Sequence, residues 1–198
     1  MPVKRLTTTH AGRIAIAAVP VAVVSTVLMA GVAQGAVPVS FAVSGSQFQI
    51  SAELLEGTGF SQYAGVANDT AGTPRQVAIA NIASASLTGL CQSVVTETPL
   101  GPVGLRITAG GAGTPATATD LQIGMTDLKG DSSFGNIRIG VDASTVNTAA
   151  KGDAGSFAQD ADTITISGLQ QTAWSTQASV FTLNGMHVEL TDGSTSCF

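Results

Sequence analysis

Beyond residue 36, apolar side chains return at every second position in one short run after another. No run there sustains the three-to-four spacing of a helix. The alternation covers Val39, Phe41 and Val43, then Phe48, Ile50, Ala52 and Leu54. It returns at Val103–Leu105–Ile107, Leu121–Ile123–Met125, Ile137–Ile139–Val141, Ile164–Ile166 and Met186–Val188–Leu190. A period of two sends alternate side chains to one face of a strand, so the body is expected to be all-β. Composition agrees: charged residues make up 11% of the chain and glycine contributes 23 of 198 residues, which suits strands and turns better than long helices.

Five runs share a break in which an apolar residue, any residue, Gly or Asn, and a second apolar residue follow one another. They are Ile79–Ile82, Leu87–Leu90, Phe134–Ile137, Ile166–Leu169 and Leu183–Met186. On an unbroken strand the two apolar residues, three apart, face opposite sides. A left-handed or bulged residue between them turns the second one back inward, and Gly and Asn take that conformation most cheaply. The copies are unevenly spaced, which excludes a strict repeat. The expected architecture is therefore an irregular β-helix (solenoid) or a bent-strand sandwich.

Between the runs, Gly57, Gly59 and Gly65 suggest a turn-rich connection, and Ala52 to Glu56 fits either strand or one helical turn. Asn68 to Pro74 and Ala109 to Thr119 have loop composition, and residues 146–162 suit a long loop. Gln170 to Ala178 has no clean period.

The chain divides into three. Residues 1–13 carry Lys4, Arg5 and Arg13 and are expected to be cytoplasmic. Residues 14–35 hold no charge and form the expected transmembrane or signal helix, with the cationic side inside. Residues 36–198 form the extracytoplasmic β domain. The apolar length favours a single-pass anchor. Small residues at Ala33 and Gly35 allow the alternative, secretion after cleavage near Ala36. The expected location is the plasma membrane with the C-terminal domain outside, or the exterior after cleavage.

The body carries five basic and all thirteen acidic residues, a net charge of −8. Such a surface argues against binding nucleic acid or an anionic lipid surface by charge. The chain has two cysteines, Cys91 and Cys197. Outside the cytoplasm their default state is a mutual disulfide, the alternative being free or partner-linked thiols.

The search for chemistry finds little. His187 is the one histidine beyond the apolar segment, and its alternation with Met186, Val188 and Leu190 puts it on the solvent side of a strand. Ser132 and Ser133 lie in Gly130-Asp131-Ser132-Ser133-Phe134-Gly135, which lacks the Gly-x-Ser-x-Gly elbow. Asp160 and Asp162 share a strand face by spacing and suit a weak calcium site, an acidic pair or a solvated loop. Glu53 and Glu56 are a second acidic pair. No His-rich, Cys-x-x-Cys or phosphate-loop pattern occurs, so neither a metal nor a cofactor is expected.

Several stretches together resemble a family of exported actinobacterial proteins that carries only a domain-of-unknown-function label. They are FAVSGSQFQISAELLEGTGFSQYAGV from Phe41, LCQSVV from Leu90, LRITAGG from Leu105, QTAWSTQASVFTLNGMHVEL from Gln171, and the terminal Cys197-Phe198. The resemblance implies a Gram-positive cell envelope. Both cysteines fall in matching stretches, which adds support for their pairing. The expectation for function is a non-enzymatic envelope protein, attached to the membrane by residues 14–35, whose β domain binds an envelope protein or lipid partner. The alternatives are a carrier of lipids or other hydrophobic ligands and, third, an esterase-type hydrolase built on His187 and Ser132 or Ser133.

Overall fold

The alternating runs become nine strands of one antiparallel sheet in the computed structural model, which describes residues 45–69, 71–111 and 113–198. Residues 1–13, the apolar segment 14–35 and residues 36–44 of the body lie outside the described residues. The strands are β1 (Phe48–Asn68), β2 (Pro74–Thr88), β3 (Leu90–Thr98), β4 (Gly101–Ala109), β5 (Ala116–Gly135), β6 (Arg138–Asp142), β7 (Phe157–Gln177), β8 (Val180–Thr182) and β9 (His187–Thr191). One short 3-10 turn, Ala143–Thr145, interrupts them.

Every pairing is antiparallel, in the order β6-β7-β5-β2-β1-β3-β4-β9, with β8 beside β5. β7 also pairs with β1, so β1, β2, β5 and β7 form a closed circuit of hydrogen-bonded neighbours. The all-β class is as expected and takes the form of one antiparallel sheet, while the irregular β-helix or sandwich is not what the pairing shows. A β-helix stacks parallel coils and a sandwich needs two sheets, whereas this chain builds one antiparallel sheet.

The expected breaks explain how long strands wrap one core. Four of the five have left-handed backbone: Gly89 (φ 64°), Asn136 (φ 54°), Gly168 (φ 62°) and Gly185 (φ 65°). Leu87 and Leu90 flank Gly89, Ile166 and Leu169 flank Gly168, and all four leucines and isoleucines are buried in the same core. Gly185 instead sits at a chain reversal between strands, whereas Asn136 marks a break where β5 passes into β6 along the same edge of β7, and the residues after them, Met186 and Ile137, stay exposed. Asn81 is the exception. It lies on unbroken strand, so Ile79 and Ile82 face opposite sides and join different apolar clusters.

A further kink, at Gly59 (φ 66°), escaped the pattern because Gly57 stands where an apolar residue was sought. The glycine-rich stretch read as a connection is in fact the middle of a 21-residue strand. Gly57 is there because space is short: a Cβ would lie 2.6 Å from Ile82 Cγ2. Kinks fall at matching rungs. The β1–β7 pairing keeps one offset from Phe48↔Ala173 through Tyr63↔Ala158, although bridges are missing beside Gly168 and Gly59. Leu55 and Phe60 have opposite parity on β1, yet both are buried in the core.

Residues 143–156 cover the outer face of the sheet. Tyr63, Ala143, Val146 and Ala158 form a second, small apolar cluster under them. Ala143 N–H donates to Ser156 O at 2.9 Å and Gly152 N–H to Ala143 O at 3.0 Å. The expected long loop therefore ends earlier than residue 162, since Phe157–Asp162 already belong to β7. Likewise Gln170–Gln177 continue β7, and Ala52–Glu56 are strand, not a helical turn.

Candidate functional site

The last three strands of the order, β3, β4 and β9, form a lobe that projects beyond the closed circuit. Pairing sets Val94 beside Leu105 and Leu105 beside Leu190, while Ile107 lies beside Val188. The row therefore continues the face on which Leu90 and Ala109, one rung further in, enter the main core. Toward the lobe's end the cover runs out: Val103 is 41% exposed, Val188 46% and Leu190 77%. An apolar sheet face left in water marks an interaction surface more often than a packing accident.

The reverse face of this lobe is covered by the chain's own C-terminus. Cys91 on β3 is bonded to Cys197, closing a separation of 106 residues. Cys197 N–H donates to Ser93 Oγ at 3.1 Å. Gly193 lies so close that a Cβ would be 2.9 Å from Pro102 Cβ. Arg106 and Glu189, the sole full charges on β4 and β9, pair across the strands at 3.1 Å.

At the opposite end of the sheet, Asp160 on β7 is fully buried. Its carboxylate accepts Arg138 Nε–H at 2.8 Å and Asn147 N–H at 2.7 Å, and Arg138 Nη2 completes a two-pronged contact. The Arg138 hydrogen bond, helped by Asn147 and opposed by burial, holds Asp160 below the ordinary carboxylate range. Lys151 Nζ donates to Val146 O and adds favourable charge. Asp162 is exposed and accepts Asn136 Nδ2–H at 2.8 Å. The pair expected to suit calcium is thus supplied with protein donors. Among the described residues no three His, Cys, Asp or Glu side chains stand together as a metal site.

A ladder of side-chain hydrogen bonds also crosses the sheet, from Gln177 to Gln122, Asn81, Ser61 and Thr148. Ser61 and Asn81 are buried within it. Beside Asn81, burial pushes the Tyr63 hydroxyl above its ordinary value. The ladder ties the covering loop to four strands and holds no nucleophile–base pair.

The other candidates are dispersed. Ser132 and Ser133 are exposed on β5, opposite Ile166 and Thr165 of β7. His187 is exposed on β9, beside Thr108 of β4. Four strands separate β5 from β9 in the sheet order, so the structure does not bring the serines to the histidine. Glu53 and Glu56 are exposed and pair with nothing catalytic.

A cavity of about 50 Å³ lies within the main core, lined by Phe60, Ile82, Met125 and Phe134, with Ser132 and Gln171 also on its wall. Gln171 Nε2 is buried and unpaired there. This is space on the scale of water, well below the roughly 300–1,000 Å³ of a small-molecule pocket. A wider depression of about 750 Å³ between β1, β2 and Asp153 is open and mixes Val66 and Val77 with Gln76, Thr126 and Asp153.

The fold and site define an all-β domain with a covered polar end, an open apolar end and a single disulfide. Residues 44–198 match the model of a family of unknown function, DUF6230, and the chain belongs to that family. No curated protein and no solved structure matches it.

Sequence reasoning located the cysteines and the apolar alternation of β4 and β9. It missed the exposure of that face, the Arg138–Asp160 contact and the polar ladder. The one available signal for the ladder was polar residues, Ser61, Asn81 and Gln122, sitting at strand positions among apolar neighbours.

Proposed function

We propose that this chain is a non-enzymatic protein of a Gram-positive, actinobacterial cell envelope, whose β domain works outside the membrane as an interaction module. Residues 14–35 hold it to the bilayer, or a cleavage near Ala36 releases it. The observation that carries this reading is the exposed apolar face of β4 and β9. The Cys91–Cys197 disulfide supports an oxidising compartment. The dispersal of His187, Ser132 and Ser133 speaks against the hydrolase, and the small core cavity gives the lipid-carrier alternative no support.

Two measurements test it on the full chain. A compartment-sensitive reporter fused after Phe198 should be active outside, and a cytosolic reporter overturns the reading. A photo-reactive side chain at position 190 should cross-link an envelope component in cells, whereas one at the exposed position 133 should not. Equal yields at both positions would remove the lobe from the proposal.

A further inference from the structure

We propose that two copies of the chain join through the free edge of β9, in antiparallel register centred on Val188. β9 ends the sheet order: it pairs with β4 along one edge, and no strand among the described residues pairs with the other. An open edge is a template for another strand, and natural edges are commonly blunted by lysine, proline or an inward charge. The sequence of β9, His187-Val188-Glu189-Leu190-Thr191, contains no lysine or proline, and its apolar side chains stand in water.

The side chains select both the partner and the register. Centred on Val188, a copy sets Val188 against Val188. Met186, itself 55% exposed, meets Leu190 twice on the apolar face. On the reverse face His187 meets Glu189 twice, a donor opposite a carboxylate. Moving the centre by one residue, to Glu189, puts Glu189 against Glu189, and like charges directly opposite are unfavourable. The two-fold arrangement keeps equivalent faces together, as an isologous contact requires.

Charge also favours this site over the rest of the surface. The body is acidic overall, so most approaches of two copies are repulsive. On β4 and β9 the sole full charges, Arg106 and Glu189, neutralise each other. The result is one sheet running β3-β4-β9 into β9-β4-β3 of the partner copy, with its apolar row doubled in length.

This inference rests on the reading of the lobe as an interaction surface, and its test separates the two. The full chain, purified in detergent, is measured by light scattering and sedimentation. Wild type should be dimeric at micromolar concentration. Val188→Lys, which sets lysine against lysine on the axis, should weaken association at least tenfold. His187→Glu, which sets glutamate against Glu189, should do the same while leaving in place the unfolding midpoint measured at dilutions where both proteins are monomeric. Val188→Cys should give a disulfide-linked dimer on oxidation, and Thr191→Cys should not. A monomeric wild type overturns the proposal, as does a dimer indifferent to both charge variants, which would lie in another segment such as residues 14–35. A monomer that still cross-links another envelope component from position 190 sinks the dimer and leaves the interaction module standing. A monomer that instead floats with lipid vesicles through position 190 also overturns it.

Discussion

The two ends of the sheet are finished in opposite ways. Around β6 and β7 the chain covers itself: residues 143–156 lie over Tyr63 and Ala158, and Asp160 is sealed by Arg138 and Asn147. Around β3, β4 and β9 one face is covered by a tail held through a covalent bond, and the other stays open. The covered end relies on hydrogen bonds to a buried charge, so acid should reach it first. The open end relies on the disulfide, so reductant should reach it first.

The largest expected effect breaks the open end. Converting Cys91 and Cys197 to serine, or reducing them, should remove about 4–5 kcal/mol by the loop-entropy estimate for a ring of this length. Denaturant titration with and without reductant measures it. Hydrogen exchange should then rise in β3, β4, β9 and the tail before β6 and β7. Uniform loosening would erase the distinction between the ends.

Next comes the covered end. Asp160→Ala strands Arg138 and the Asn147 amide, and should cost about 2–3 kcal/mol in chemical unfolding. The same site shapes the acid limb. The folded chain holds Asp160 ionised more firmly than the unfolded chain, so its contribution is complete above roughly pH 4. That contribution disappears as pH falls through the depressed folded value. Asp160→Ala should flatten the stability curve there while leaving the parts from Asp69 and Asp142, whose carboxyls are also lowered. An unchanged acid limb would show that the Arg138 contact adds nothing.

Between the ends, Gly168→Ala tests the kink alone. No atom lies within 4 Å of the added Cβ, so the cost is conformational, about 1–2 kcal/mol for an L-residue at this left-handed φ. A neutral result would mean that the strand relaxes and the break does not depend on glycine. The smallest change belongs to the open face: at dilutions where the chain is monomeric, Val188→Lys should alter unfolding free energy by less than about 0.5 kcal/mol, because an exposed edge position gives up little packing. A large loss there would make the face part of the core after all.

How far these features were legible follows from what a period reports. Alternation at Leu121–Met125 or Met186–Leu190 states which side chains share a face, and those stretches are strands from Leu121 and from His187. It does not state whether anything covers that face, so Leu190 looks the same on paper whether buried or bare. Gly89 and Gly168 were readable because apolar residues flank them, whereas Gly59 was hidden behind Gly57. Glycine clusters signal turns when exposed, but at Gly57 and Gly65 they mark close strand packing, which a lone sequence does not distinguish. Asp160 invited pairing with its neighbour Asp162. Its actual partner, Arg138, is on another strand, and only the β6–β7 register brings it near.

The shared kinks also limit how this chain can change length. β1 and β7 keep a single offset across both bends, so one added or deleted residue in either strand would carry every later rung out of step with its neighbour. Such a change becomes tolerable only when matched by another across the ladder. The turn at Asp69–Thr73 has no such constraint, and lineages of this family should vary in length there while the spacing from Ala52 to Phe60 and from Ala161 to Leu169 stays fixed.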